Sequence, residues 1–171
     1  VDNVIGGTNR GEGNVISGNI EAGVFLQASR NVIQGNYVGT DLSGTNAMSN
    51  GSHGVLVNGN NNLLAGNTIA FNGGDGVFIP IGNGNLIRGN LIFSNDGLGI
   101  DLGSGGVTAN DPTDADTGAN NLQNFPVLTL AANLGGSTTL SGSLRARANA
   151  VFNLDFFSTD KPDPTGYGQG Q

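Results

Sequence analysis

Short aliphatic runs with an alternating pattern recur along the first hundred residues. Each run begins with Gly, and the first and third residues after that Gly are aliphatic. The four runs are Gly23-Val24-Phe25-Leu26, Gly54-Val55-Leu56-Val57, Gly76-Val77-Phe78-Ile79 and Gly99-Ile100-Asp101-Leu102. Because side chains alternate between the two faces of a strand, this pattern predicts strands that turn their first and third aliphatic residues towards a core.

A second unit alternates with the first along the chain. It begins and ends with Asn and encloses two aliphatic residues and a Gly, at residues 14–19, 31–36, 62–67 and 85–90. The steps from Gly54 to Gly76 and from Gly76 to Gly99 are 22 and 23 residues, and the Asn unit advances with them. Units that recur in one orientation at a constant offset favour parallel stacking of coils over an antiparallel meander.

Two irregularities interrupt this repeat. The step from Gly23 to Gly54 is 31 residues, which indicates an inserted loop within residues 39–53 of the second coil. The segments that begin at Asn3 and Asn14 are only 11 residues apart, so we interpret them as two sides of one coil. The sequence therefore predicts an all-β parallel solenoid of about four coils over residues 1–103.

Composition and charge argue against several other fold classes and binding partners. The 171 residues include 31 Gly and 25 Asn, which disfavour helices and suit tight corners where stacked Asn amides can bond to one another. The formal charge of -7 argues against binding to nucleic acid, and no apolar stretch is long enough for membrane insertion. The chain has no Cys, so no disulfide framework is predicted.

The two repeated units resemble those of the right-handed parallel β-helix proteins of the pectin-lyase-like class. The likeness rests on the Asn-Val-Ile-x-Gly-Asn and Gly-Val-x-Ile patterns and is greatest to the Asn- and Gly-rich repeats of large bacterial secreted or surface proteins. The resemblance implies a right-handed solenoid and an extracellular or cell-surface location. It leaves the activity open, because this fold carries polysaccharide lyases, glycosidases, adhesins and inert stalks.

The repeat stops after the fourth coil. Residues 104–121 are interpreted as an acidic turn and linker, and residues 122–171 as an extended segment with a hairpin. Alternation over Thr138–Leu144 and Val151–Phe157 predicts the two antiparallel strands. Because an isolated hairpin is marginally stable, we expect an incomplete β-domain or truncated β-sandwich. Self-association, through this hairpin or the open β-helix ends, and contact with neighbouring domains are the expected partnerships.

Alignment of the coils offers little support for catalysis. The residue before each strand Gly reads Ala22, His53, Asp75 and Leu98, so no two acids share a register. His53 and Asp101 are weak catalytic candidates, and the inserted loop that carries Asp41 and His53 is the first place to look for a proton-transfer pair. The alternative is that these residues are solvated charges on loops. We therefore favour the interpretation that the chain is not an enzyme.

Two further features suggest binding. Phe25, Leu56 and Phe78 are expected to form an outward apolar stripe. It either stacks on a sugar or is covered, by residues 122–157 of the same chain or by a neighbouring chain. Asp111, Asp114 and Asp116 precede a Gly at spacings that could aim several oxygens at one Ca²⁺. The alternative for this turn is that its carboxylates bond to its own backbone.

These observations predict a non-catalytic structural or interaction module of a secreted or cell-surface bacterial protein. The alternative is a carbohydrate-active chain of the same fold, either a polysaccharide lyase or glycosidase or a sugar-binding β-helix, with polysaccharide as its partner.

Overall fold

The computed structural model describes residues 1–159 and 163–170, and its first part is a solenoid of four coils. Each coil contributes one strand to each of three parallel sheets. Sheet A consists of β1 (Val4–Gly6), β4 (Val32–Gln34), β7 (Leu63–Ala65) and β10 (Leu86–Arg88). Sheet B consists of β2 (Val15–Ile16), β5 (Tyr37–Val38), β8 (Thr68–Ala70) and β11 (Leu91–Phe93). Sheet C consists of β3 (Val24–Leu26), β6 (Val55–Asn58), β9 (Val77–Ile81) and β12 (Ile100–Leu102).

This topology confirms the predicted parallel solenoid of about four coils. Strands β1, β2 and β3 lie in three different sheets, so the segments beginning at Asn3 and Asn14 are two sides of one coil, as interpreted. The extra residues of the second coil lie between β5 and β6, where an antiparallel bridge joins Thr40 to Ala47. No helix in the described residues is long and apolar enough to cross a membrane.

The core is a column of aliphatic side chains that point inward from every coil. The Gly-led strands behave as predicted, since Val55, Val57, Val77 and Ile79 are fully buried. Val55 pairs with Val77 in register along sheet C, and the register shifts after Leu56. Ile100 continues the Val55 and Val77 register on β12 but is 44% exposed. It is exposed because the described residues place no fifth coil over it.

Asparagine ladders run along the three corners of the solenoid, which confirms the predicted Asn stacks. In the first three coils each of these side-chain amides donates to the Oδ1 atom of the Asn one coil further on, at 2.8 to 3.0 Å. The ladders are Asn3-Asn31-Asn62-Asn85, Asn14-Asn36-Asn67-Asn90 and Asn19-Asn50-Asn72-Asn95. The nine Asn residues in the second to fourth coils are buried. Buried amides of this kind are stable only when their hydrogen bonds are made, and here the repeat makes them.

Residues after the last coil terminate two of these ladders. A short 3-10 segment, Ala119–Leu122, places Asn120 Oδ1 3.0 Å from the backbone N–H nitrogen of Asn85. Gln169 Oε1 accepts from both the backbone N–H and the Nδ2 group of Asn95, at 3.1 and 3.0 Å. The side chains of Asn120 and Gln169 therefore supply the acceptors that a fifth coil would provide.

A C-terminal hairpin is present, as predicted, but one of its two strands was assigned wrongly. Strand β14 (Ser137–Ser143) overlaps the predicted 138–144 strand, whereas its partner is β13 (Val127–Leu134) and not residues 151–157. The reason is the two-residue turn at Gly135 and Gly136, which both have positive φ angles of 60° and 84°. Such a turn matches the twist of paired strands better than the longer loop at 145–150 does.

Residues 151–157 form no strand and instead extend beside the solenoid. Asp155 accepts from Arg88 Nε and Nη2 at 2.8 and 2.7 Å, and from the backbone N–H of Gly89. This ion pair holds the C-terminal segment against the end of sheet A. The predicted self-association of the hairpin stays a prediction, as does the incomplete β-domain, part of which (residues 160–162 and 171) lies outside the described residues.

Candidate functional site

A pocket of about 530 Å³ opens on the outer face of sheet C, beside the last two coils. Its polar lining comes from His53, Asp75 and Asp101, and its apolar lining from Phe78 and Val107. The repeat builds this site, since His53 and Asp75 occupy equivalent positions immediately before the strand glycines of successive coils. Stacking at the spacing of neighbouring strands places them side by side.

His53 and Asp75 contact each other at the edge of the pocket. His53 Nδ1 lies 3.1 Å from Asp75 Oδ2 and also 3.1 Å from the backbone nitrogen of Asp75. One ring nitrogen cannot serve both partners in the same state. Unprotonated Nδ1 accepts from the backbone N–H, and protonated Nδ1 donates to the carboxylate, so the two contacts belong to different forms of the imidazole.

Asp75 uses its second oxygen to hold the next coil. Its Oδ1 atom accepts from the backbone N–H of Leu98 at 2.7 Å. The ring of His53 packs on Phe78, with ring centroids 4.6 Å apart and planes tilted by 31°. Asp75 therefore holds the next coil through Oδ1, and its Oδ2 atom bonds to the imidazole only when Nδ1 is protonated.

Asp101 lies beside Phe78 in the register of sheet C, but it is only 5% exposed although its side chain points outward from the solenoid. The turn after β12 folds over it, and the backbone N–H of Gly106 donates to Oδ2 at 3.1 Å. The buried Oδ1 atom has no hydrogen-bond partner among the described residues. Burial raises the pKa of this carboxyl, the Gly106 hydrogen bond opposes the rise, and the negative charge of Asp75 adds to it.

The predicted apolar stripe lies on the same face. Phe25, Leu56 and Phe78 pair in register across β3, β6 and β9, and Asp101 continues the line. The cover predicted from residues 122–157 is absent over Phe25, which is 48% exposed. That prediction was wrong because Asp155 draws the C-terminal segment to Arg88 on sheet A. Phe78, at the other end of the stripe, is half-buried and carries the His53 ring.

The predicted pair of Asp41 and His53 does not form. The carboxylate of Asp41 accepts from Asn46 Nδ2 and Ser43 Oγ within the inserted loop, and these bonds hold its pKa well below the ordinary range. His53 pairs with Asp75 instead. The alignment of coils placed these two residues in one register, but a search for stacked acids overlooks an acid stacked on an imidazole. The structure also brings both catalytic candidates, His53 and Asp101, into the same pocket.

The three acids predicted to bind calcium converge in the turn after the solenoid. One carboxylate oxygen from each of Asp111, Asp114 and Asp116 lies within 4.8 Å of the others. Asp114 is buried and accepts from the backbone N–H groups of Asn124 and Arg147, at 2.8 and 3.3 Å. The alternative, in which the carboxylates bond to the turn's own backbone, fits the bond from the Ala115 N–H to Asp111 Oδ2, whereas Asp114 holds backbone outside the turn. The calcium site stays a prediction.

Comparison with known proteins gives one match. The model of a family described as "Right handed beta helix region" matches residues 3–123. Neither the curated proteins nor the solved structures contain a match to the chain. The matched range covers the four coils and the 3-10 segment that terminates the first ladder.

Proposed function

Because the chain belongs to the right-handed β-helix family, we propose that it is a non-catalytic interaction module that binds carbohydrate through the pocket on sheet C. We further propose that it belongs to a secreted or cell-surface bacterial protein and that its binding partner is a polysaccharide. The observation that carries the binding proposal is the buried, unpartnered Oδ1 atom of Asp101 beside the Phe78 ring.

The chemistry of the lining suits a sugar. A sugar ring has an apolar face of C–H groups and an edge of hydroxyl donors. Phe78 and His53 offer an aromatic surface for the face, and Asp101 offers a strong acceptor for a hydroxyl. The turn that covers Asp101 is loosely packed, since a Cβ atom added at Gly105 or Gly106 would meet nothing within 4 Å. A small shift of this turn opens Oδ1 to a ligand.

The contacts that the acidic side chains already make favour sugar binding over cleavage. Hydrolysis of a glycosidic bond ordinarily uses two carboxyl groups, one as acid and one as base or nucleophile. In this pocket Asp75 Oδ1 is engaged by the backbone N–H of Leu98, and Oδ2 faces His53 Nδ1 at 3.1 Å. Asp101 is then the carboxyl of this pocket with a buried oxygen that has no partner among the described residues. No Arg or Lys lines the described part of the pocket to serve as the base of a lyase.

A second candidate function is cleavage of polysaccharide, and the raised pKa of Asp101 favours it. A raised pKa increases the protonated fraction of a carboxyl at a given pH, and a protonated carboxyl can donate a proton to a leaving oxygen. His53, which packs on Phe78 in the same pocket, would then be the candidate for the second proton-transfer role.

Calorimetric titration with neutral and acidic oligosaccharides tests the binding proposal. We expect Phe78→Ala to abolish binding, and Phe25→Ala, in the same register but outside the pocket, to leave it unchanged. Melting curves of both variants check that they fold. Equal loss in the two variants, or undiminished binding by Phe78→Ala, would contradict a site in this pocket.

Product assays separate binding from cleavage. The protein is incubated with the polysaccharides that it binds, with and without Ca²⁺, and unsaturated products and reducing ends are measured. We expect no product. If the wild-type chain forms product and Asp101→Asn does not, the chain is an enzyme and the binding proposal is wrong.

A further inference from the structure

The pocket on sheet C carries negative charge that its lining does not balance. Asp75 and Asp101 both line it, and no Arg or Lys lines the part of the pocket that the structure describes. In that described lining, His53 is the group that can become cationic, but its Nδ1 atom faces Asp75 Oδ2 at 3.1 Å. A protonated imidazole is therefore paired with Asp75, and Asp101 still has no cation beside it.

Asp101 is the acid of this pocket that lacks a donor. It is only 5% exposed, Gly106 donates to its Oδ2 atom, and its Oδ1 atom is buried without a partner among the described residues. Burial raises the pKa of this carboxyl, and the nearby charge of Asp75 adds to the rise. An ammonium group that donates to Oδ1 would make the missing hydrogen bond and would place a positive charge beside the two carboxylates.

We propose that the pocket selects carbohydrate with free amino groups, and that the protonated amine of a hexosamine donates to Asp101 Oδ1. This inference rests on the proposed sugar site and names the class of sugar that the site prefers. Phe78 offers its ring to the apolar face of the sugar, whichever sugar is bound. A hydroxyl can donate to the same oxygen, but an ammonium adds the attraction between opposite unit charges, which is strong where water is excluded.

Other ligands fit this charge poorly. An acidic sugar would bring a third carboxylate to Asp75 and Asp101, and like charges in one site repel. A bare metal ion needs several oxygen atoms around it, and the pocket volume of about 530 Å³ is in the range of sites for larger molecules. In the described residues, the acids whose ligand atoms lie within 4.8 Å of one another are Asp111, Asp114 and Asp116, outside this pocket.

Calorimetric titration with two oligosaccharides of equal length tests the proposal. One is built of glucosamine and the other of N-acetylglucosamine, so the amine is free and protonated in the first and acetylated and neutral in the second. In buffer that keeps the amine charged, we expect the glucosamine oligosaccharide to bind about tenfold more tightly or better. The preference should shrink as salt is raised from about 0.05 to 0.5 M, because screening weakens the attraction between charges. Oligogalacturonate, an acidic sugar, should bind more weakly than either.

Asp101→Asn is the variant that isolates the charge, because it keeps the size of the side chain and removes the carboxylate. We expect its preference for the free amine to fall to about twofold or less, whatever its affinity for the acetylated sugar. Glu21→Gln, which removes one charge from an exposed acid of the first coil, is the matched control and should keep the full preference. Phe78→Ala should bind neither sugar. Melting curves check that all three variants fold.

The outcomes separate this inference from the sugar site itself. Equal affinity for the two sugars would overturn the inference and leave the proposed site in place, whereas binding of neither would overturn both. A preference for the free amine that survives in Asp101→Asn or in Phe78→Ala would come from the net charge of -7 on the whole chain, and it would overturn the inference. Tighter binding of the oligogalacturonate would do the same.

Discussion

The solenoid and the C-terminal hairpin are both built of short strands, yet they bury their side chains to very different extents. Leu64 and Ile69 in the third coil are fully buried, whereas Leu134 in the hairpin is 79% exposed. All seven residues of β14 are exposed. Both regions form strands, so strand formation alone does not explain the difference. The difference lies in stacking, because each coil covers the side chains of the next, while the hairpin satisfies only its own backbone.

Removing a buried side chain from the solenoid is expected to have the largest effect. Leu64→Ala should lower the free energy of unfolding by about 3 kcal/mol, since it removes transfer energy and leaves a cavity between neighbouring coils. Leu130→Ala in the hairpin is the matched control and should cost less than about 1 kcal/mol, because half of that side chain is already exposed. Urea denaturation measures both. Equal losses would mean that the hairpin is packed as tightly as the coils.

Breaking an Asn ladder should come next in size. Asn67 accepts from the backbone N–H and Nδ2 of Asn36 and donates to Asn90 and Ile33, all within the buried corner. Asn67→Ala leaves several of these groups unsatisfied and should cost about 2 to 3 kcal/mol. Asn14→Ala, at the exposed end of the same ladder, should cost under about 1 kcal/mol, because water replaces the lost amide. Similar losses in the two variants would show that the ladder adds little beyond packing.

The sequence predicts the solenoid well because the same residue pattern recurs in all four coils. Two markers, the Asn units and the Gly-led strands, advance at one spacing, and stacking in register follows from that spacing alone. The same alignment places His53 over Asp75, so their contact was accessible from the sequence once unlike residues were compared. The burial of Asp101 was not accessible, because it depends on how the turn through Gly106 folds back.

The C-terminal part could be predicted only in outline, because it occurs once. Alternation marked residues 138–144 as a strand, but the choice of its partner depended on the Gly135 and Gly136 turn. Nothing in the repeat indicates that Asn120 and Gln169 terminate the ladders. They are distant in sequence from Asn85 and Asn95, and only the folded chain brings the amide groups together.

The buried carboxyl of Asp101 should give the solenoid a modest dependence on pH. Its pKa is raised above the ordinary value of 3.8, so the native state binds this proton more tightly than the unfolded state. The stability that it contributes is fully present below pH 3.8 and is lost as the pH rises through the raised pKa. Asp101→Asn should therefore be more stable than the wild type at neutral pH, with the advantage shrinking in acid.

Urea denaturation of both proteins between about pH 3 and pH 7 measures this difference. Asp96→Asn, which changes an exposed acid of the same coil, is the control and should track the wild type. A constant offset between Asp101→Asn and the wild type across this range would show that the effect is not due to ionisation.

The smallest expected effect lies in the acidic turn, where the two regions meet. Asp114 holds Asn124 and Arg147 on the C-terminal side, so a cation bound by Asp111, Asp114 and Asp116 would tie the hairpin segment to the solenoid. If the predicted calcium site binds, Ca²⁺ at ten times its dissociation constant should stabilise the chain by about 1.4 kcal/mol, which is about 3 to 5 °C in melting temperature.

Asp116→Asn is the variant that isolates this site. Asp116 has a buried Oδ1 atom without a partner among the described residues, so its replacement removes a ligand and spares the bonds that Asp111 and Asp114 make to backbone. The variant should melt like the wild type in chelator and should lose the increase in Ca²⁺, while Asp96→Asn should keep it. An equal increase in all three proteins would place the calcium elsewhere and leave the turn as a link held by hydrogen bonds from backbone N–H groups to its carboxylates.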